Sequence, residues 1–326
     1  MADKQMTQHH DQEAFAKLVD RIGPDHAGQR MEMQAHYSAL LLKGYHLHIH
    51  MEEFPAIAWL IKTLLKTTGL WPLAVKNTSQ YRIVEHTVPI PHLPESFDGF
   101  RIVHLSDLHI EGMIDKGQAL QAALSTLRYD LCVMTGDFRF LTYGHYDKTL
   151  TLMESLVNTI QAPYGVTGIL GNHDWLEMVP GLERCGIRML LNEAQSLEKG
   201  SDAIWLLGLD DVHYYETGDL EKTIRLAPTD AVRILLVHSP EIIPEASTAG
   251  MDLYLCGHSH GGQICLPGST PIITHCRCPR AYKAGPWQYH SMRGYTSRGV
   301  GTSLFPIRLF CFPEIIIHTL TRAPQS

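Results

Sequence analysis

None of the 7 cysteines forms a Cys-x-x-Cys pair. That gap excludes a thiolate zinc knuckle, gives no disulfide framework, and fits a reducing cytoplasm. Cys132 and Cys256 sit inside apolar runs and read as small core residues. Also missing is any run of roughly eighteen apolar residues, so no membrane span is expected. Residues 1–30 are polar and lack the basic-then-apolar order of a secretory signal. Basic residues are not in excess. Lys+Arg 27 stand against Asp+Glu 34, a net charge of -7, so a general nucleic-acid binder is not expected. No internal repeat is visible. What is present, 326 residues at 44% hydrophobic and 19% charged, suffices for a sizeable globular core.

The chain divides near residue 95. Residues 1–95 carry no chemical motif beyond a histidine row, and the Pro-rich stretch Val88 to Pro94 leads into 96–322, followed by a tail, 323–326. In the second part, strand-like runs alternate with helix-like segments. Strands are expected at Arg101–Leu105, Leu131–Thr135, Val166–Leu170, Ile204–Leu209, Ile234–Val237, Leu253–Cys256 and, closing the fold, Ile315–Leu320. Helices are expected around Gln118–Arg128, Lys148–Ile160 and Leu176–Cys185. The alternation argues for a layered α/β core, and the later β-rich pieces suggest a second sheet packed on the first.

Short His- and Asp-rich motifs follow these strands. They are Asp107-Leu108-His109, Gly136-Asp137, Gly171-Asn172-His173-Asp174, His238 and Gly257-His258-Ser259-His260-Gly261-Gly262-Gln263. Ligands gather at the carboxyl ends of strands in open α/β sheets, so residues distant in sequence converge there. The set offers carboxylate and amide oxygens and imidazole nitrogens for two metal ions, and no sulfur. Mn, Fe, Zn or Mg is expected, with Mn foremost. Paired ions bridged by a carboxylate are a common arrangement for cleaving phosphate esters.

The order of these motifs resembles the calcineurin-like metallophosphoesterase superfamily. Gly-His-Ser-His-Gly-Gly-Gln, with Ser297 to Ser303 and Pro306-Ile307-Arg308, is similar to its YkuE/YaeI-type branch, which includes the chlamydial type of UDP-2,3-diacylglucosamine hydrolase. The resemblance covers residues 96–322 and implies a four-layer α/β/β/α sandwich. It implies one ion held by Asp107, His109, Asp137 and His260, and another by Asp137, Asn172, His238 and His258, with Asp137 bridging. His173 would assist the leaving group or phosphate, and Asp174 would orient and charge His173. The implied reaction is hydrolysis of a phosphodiester or pyrophosphate bond. A lipid-linked or nucleotide-linked substrate such as UDP-2,3-diacylglucosamine is the leading expectation. A soluble phosphodiesterase for cyclic nucleotides or other small diesters is the alternative, and a weakly catalytic interaction scaffold is a further class. Many relatives have an acidic residue three positions after the bridging Asp. Here it is Phe140, which puts the support around the ligands in doubt.

Substrate selection has several candidates. Arg139 either reaches a substrate phosphate or is a solvated surface residue. Asp210, Asp211, His213, Tyr214 and Tyr215 follow a strand and either line the site or build a turn. Arg280, Arg298 and Arg308 are possible bidentate phosphate ligands, Arg298 first because of its Gly-rich setting. Residues 55–72 place Ile57, Leu60, Ile61, Leu64 and Leu65 on one helical face, with Lys62, Lys66, Thr63 and Thr67 mostly on the other and Trp59 and Trp71 near the ends. Such a helix docks on a core or lies in a membrane interface, and the N-terminal part is also a candidate lid. His46, His48 and His50 alternate as on one strand face, either as metal ligands or as a solvated row. The expected location is cytoplasmic, with peripheral contact on the inner membrane face as the alternative if the helix over 55–72 does not dock on the core.

Overall fold

Period-2 alternation in the apolar runs sorts each strand's side chains to two faces, and both faces are covered. The computed structural model describes residues 2–42, 55–268, 270–271 and 276–323. The row His46, His48 and His50 lies outside them.

Among the described residues four helices come first: α1 (Ala2–Ile22), α2 (Pro24–Leu42), α3 (Pro55–Thr67) and α4 (Trp71–Lys76). Gly23, at φ 96°, ends α1 in the left-handed region, and Pro24 opens α2, where its missing N–H leaves no bond unmade. The first sheet contains β1 (Arg82–Ile90), β2 (Arg101–Leu105), β3 (Leu131–Thr135), β4 (Val166–Ile169) and β5 (Ile187–Met189). Between them come α5 (Gln118–Leu124), α6 (Asp147–Val157) and α7 (Val179–Arg184). The second contains β6 (Glu193–Lys199), β7 (Asp202–Gly208), β8 (Val232–Leu236) and β9 (Leu253–Cys256), with α8 (Leu220–Ile224) and α9 (Ile243–Thr248). A small hairpin, β10 (Cys265–Leu266) and β11 (Thr270–Pro271), precedes β12 (Gly285–Tyr289), β13 (Met292–Thr296) and β14 (Glu314–Arg322). The strand orders are β1-β14-β2-β3-β4-β5 and β12-β13-β9-β8-β7-β6.

Ile102, Leu131 and Val133 face inward and meet Ile204, Leu206, Ile234, Leu236, Leu253 and Leu255 between the sheets. Val103, Leu105, Cys132 and Met134 face outward under Leu120, Leu124, Met153, Leu156 and Leu182 of α5, α6 and α7, with Leu18 and Ile22 of α1 in the same cluster. On the far side, Leu207, Leu235, Tyr254 and Cys256 pack with Ile243 and Ala246 of α9. The result is an α/β/β/α sandwich. Each fully buried Leu, Ile or Val contributes about 1.5–3 kcal/mol relative to exposure.

The closing strand is found as β14, which lies between β1, which it parallels, and β2, to which it is antiparallel. Two expectations change. The boundary at 95 falls inside the sandwich, because β1 pairs with β14 along all nine residues from Arg82 to Ile90. The helix over Leu176–Cys185 is a 3-10 turn, Leu176–Met178, followed by α7, whose first turn carries Pro180. The described cysteines are all free. No described helix is long and apolar enough to cross a membrane. Helix α3 docks through Leu65 and Ile61 against Ile307 and Leu309, while Trp59 and Leu64 are exposed.

Candidate metal centre

β2, β3 and β4 run parallel in one sheet, and β7, β8 and β9 run parallel in the other. Their carboxyl ends lie along one edge of the sandwich. Asp107, His109, Asp137 and Asn172 come from the first sheet, and His238, His258 and His260 from the second. The turns are sharp. Asp107, His109, Asp137, His258 and His260 have φ of 51°, 42°, 57°, 67° and 50°, a region L residues rarely enter. The motif glycines permit the crowding. A Cβ on Gly171 would strike the Asp137 carboxylate, and one on Gly257 would strike Ser106 and Asp107.

Two ligand sets form, and they share a carboxylate. On one side, His260 Nε2 lies 3.4 Å from Asp107 Oδ1 and 3.2 Å from His109 Nε2, which is 3.6 Å from Asp137 Oδ2. On the other, His238 Nε2 lies 3.3 Å from the same Asp137 oxygen and 3.0 Å from Asn172 Oδ1. Among the described residues three groups, Asp107–His109–His260, His109–Asp137–His173 and Asp137–His238–His258, have the mutual spacing to hold an ion, and the first and last coincide with the two ligand sets. His109 Nδ1 donates to the Arg139 carbonyl and His238 Nδ1 to the Thr135 carbonyl, both at 2.7 Å. Those bonds fix the ring tautomers and turn both Nε2 atoms inward. With both Nε2 atoms deprotonated, nearly every atom pointing into the site is an acceptor, and a divalent cation fits that donor set.

The electrostatics agree. Burial would raise Asp137, but His238, His173 and His109 hold it well below the usual carboxylate range. Burial and Asp137 raise Asp107 to about 6. Burial lowers His238, yet Asp137 and Asp107 lift it to about 10. Without an ion, the His238 proton thus stands in for positive charge between Asp137 and Asn172. Burial, with His109 and Arg308, keeps His260 well below the usual imidazole value, as a neutral ligand.

Residues 100–262 match the calcineurin-like phosphoesterase family. The chain belongs to that family. The metallophosphoesterase YkuE of Bacillus subtilis, uncharacterized in function, is 32% identical over 72% of this chain and 84% of its own. The phosphodiesterase YaeI of Escherichia coli is 26% identical over 79% of this chain and 95% of its own. A transmembrane protein with a metallophosphoesterase domain from Danio rerio is 30% identical over 82% of this chain and 62% of its own. This calcineurin-like phosphoesterase is accordingly a metal-dependent hydrolase of phosphoric esters.

His173 stands beside the shared carboxylate, Nε2 4.0 Å from Asp137 Oδ2, and its Nδ1 donates to the Phe140 carbonyl at 2.8 Å. The expected Asp174–His173 pairing is corrected. The fully buried Asp174 carboxylate accepts the N–H groups of Asp137, Phe138, Arg139 and Gly171 at 2.8–3.2 Å, clamping two motif turns together. The doubt raised by Phe140 resolves through the backbone, since the carbonyls of residues 139 and 140 anchor His109 and His173.

The substrate candidates divide. Arg139 is 1% exposed, so it is no surface residue; it donates to the Tyr143 and Gly144 carbonyls and stacks on Trp175. Asp211 is a turn builder, its carboxylate accepting the N–H groups of His213, Tyr214 and Tyr215. His213 is placed at the site, 4.7 Å from the His258 ring, and bonds Glu241. Tyr214 stacks on Tyr37 of α2 at 4.1 Å. Arg298 is committed to buried Glu314 at 2.8 Å, and Arg308 donates to the carbonyls of Arg298, Gly299 and Gly301. Neither stands free for a phosphate. Arg280 sits in a short 3-10 turn before β12. Sequence reasoning missed Arg30, His26 and Gln34 of α2, which reach the site loops, and Glu241. The one available signal was Gly23-Pro24, which marks a helix junction.

Proposed function

We propose that this chain is a two-metal phosphodiesterase acting on a lipid-linked or nucleotide-linked phosphodiester or pyrophosphate, of which UDP-2,3-diacylglucosamine is an example. The carrying observation is the single Asp137 oxygen lying between the His109 and His238 imidazoles. Asp107, His109, Asp137 and His260 would hold one ion, and Asp137, Asn172, His238 and His258 the other, with Mn the first choice. Bound there, the ions supply Lewis-acid stabilisation of the phosphoryl charge and a lowered pKa for the attacking water. Asp137 and Asp107 bring the negative charge that makes this binding favourable. His173 delivers the proton on Nε2 to the departing oxygen as the P–O bond breaks, and the Phe140 carbonyl aims its ring.

A lipid-linked substrate also suits the N-terminal part. Trp59, Leu64 and Leu73 stand exposed on α3 and α4 among Lys62, Lys66 and Lys76, the pattern of a helix pair resting on a membrane surface.

Metal-stripped protein supplied with Mn is assayed on a chromogenic diester, a chromogenic monoester and detergent-dispersed UDP-2,3-diacylglucosamine. Turnover of the lipid nucleotide far above the diester is the expected result. Turnover of the diester alone keeps the two-metal phosphodiesterase and favours a small soluble substrate. Asp137→Asn should lower turnover at least about 10²-fold and release at least one ion, and full metal content with full activity would sink the assignment.

A further inference from the structure

Helix α2 lies before the region matched by the family, yet it carries a polar stripe that the sandwich buries. His26, Arg30 and Gln34 are spaced four residues apart, so they share one helical face. Arg30 is 0% exposed and Gln34 5%. Such burial of a guanidinium is costly unless its charge and donors are used. Here Nη2 is used on the loops that carry the site and Asp210 faces the charge, while Nε and Nη1 make no hydrogen bond among the described residues.

Arg30 Nη2 donates to the Asp174 carbonyl at 2.9 Å and approaches the Gly171 carbonyl at 3.5 Å. Its Nε lies 3.7 Å from Asp210 Oδ1, and its guanidinium carbon sits 3.5 Å above the Tyr215 ring. Tyr215 in turn donates its hydroxyl to the Asn172 carbonyl at 3.1 Å. The carbonyls of residues 171, 172 and 174 are therefore all held by Arg30 or by the ring beneath it. The same stripe continues on both sides. His26 bonds Asp210 at 2.9 Å, and Gln34 accepts from Leu176 N and donates to Glu177 at 2.8 and 2.9 Å. The loop thus pinned presents Asn172 Oδ1 to His238 Nε2.

We propose that Arg30 is a positioning residue for the second ion, the one assigned to Asp137, Asn172, His238 and His258. The inference rests on the two-ion reading above. Arg30 does not touch the ion. It fixes the main chain on either side of Asn172, so that the amide oxygen meets the cation without first ordering a loop. The helical hairpin is then a structural part of the metal centre, supplied by sequence outside the family match.

The test uses the full chain, metal-stripped, titrated with Mn by calorimetry. The double variant Arg30→Met with Asp210→Asn removes the buried pair together and leaves no lone charge. Arg30→Lys keeps the charge and loses the fork. Tyr215→Phe deletes only the hydroxyl on the Asn172 carbonyl. The wild type should take up two ions. In the double variant one ion should bind as before and the other about 10–100-fold more weakly, with Arg30→Lys between them and Tyr215→Phe showing a smaller loss at the same ion. Wild-type affinity for both ions in folded variants overturns the proposal, as does an equal loss at both. Fewer than two ions in the wild type defeats the two-ion reading instead. If circular dichroism shows the double variant unfolded, Arg30→Lys and Tyr215→Phe decide by the same criteria.

Discussion

Five left-handed residues in one small site, Asp107, His109, Asp137, His258 and His260, store strain of about 1 kcal/mol or more each. Hydrogen bonds from the surrounding groups hold them there. His258 N donates to the Asp107 carboxylate, His173 N to Asp137 Oδ1, and four backbone N–H groups converge on Asp174. An amide at position 174 has one acceptor oxygen where the carboxylate has two. Asp174→Asn should therefore lower the stability of the metal-free protein by about 3 kcal/mol, read from the urea midpoint. Its dependence on leaving-group basicity should match wild type, which an orienting partner of His173 would not allow. Ion binding should also expel the His238 proton. Asp137 and Asp107 push His238 up to about 10, so affinity for Mn should rise with pH toward that value. Calorimetry in buffers of different ionisation enthalpy should show proton release, and its absence would remove the imidazolium between Asp137 and Asn172. The ligand residues were legible because each motif is a short turn after an apolar strand, and strand order alone brings such turns together. The role of Asp174 was not. Adjacent residues in a tight turn point different ways, and proximity in sequence suggested a pair that the fold separates. Arg30 and Glu241 act through tertiary contacts that no local pattern announces.

Among the elements, the first sheet carries an unusual row on its inner face. His86 of β1, His318 of β14 and His104 of β2 lie side by side, with ring nitrogens 2.9 and 3.3 Å apart, and His104 Nε2 is 2.9 Å from Thr135 Oγ1. Burial lowers His104 to about 3 and holds His318 well below the usual imidazole value. Both are neutral in the native state, and the unfolded chain takes up their protons more readily. Stability is accordingly complete above about pH 6.5 and falls as the pH drops from there toward 3, by about 2 kcal/mol near pH 5 for His104 alone. Melting temperatures measured from pH 7 to 4 should show a steep acid decline, shallower in His104→Gln. Identical slopes would mean that the row is not the acid-sensitive element. β2 and β14 were legible from their apolar runs, whereas β1, α1 and α2 were not: β1 runs into the Pro-rich stretch that reads as a boundary, and the sequences of α1 and α2 are polar.

Taken whole, the molecule holds its metal centre from two sides. The α1–α2 hairpin grips the loops after β4 and β7. On the other flank α4 supports the segment after β13, where Arg308 N donates to the Ala74 carbonyl at 2.8 Å and Asn77 donates to the Arg308 carbonyl at 2.9 Å. Val300 N and Gly301 N then donate to the Ser106 and Asp107 carbonyls. The exposed Trp59 and Leu64 lie on α3, next to this second support. If that face meets lipid, the double variant Trp59→Ser with Leu64→Ser should float poorly with anionic vesicles and keep its activity on a soluble diester. Equal flotation of variant and wild type would assign the contact elsewhere. The place of β14 bears on synthesis. The first sheet has β2 and β3 by residue 135, but the strand that joins β1 to β2 is residues 314–322. On the ribosome, at about 5–20 residues per second, β2 waits some 200 residues with an unpaired edge bearing Ile102, Val103 and Leu105. Nascent chains halted before residue 314 should therefore be protease-sensitive throughout the first sheet, and a chaperone that covers bare strand edges would find its client in that interval.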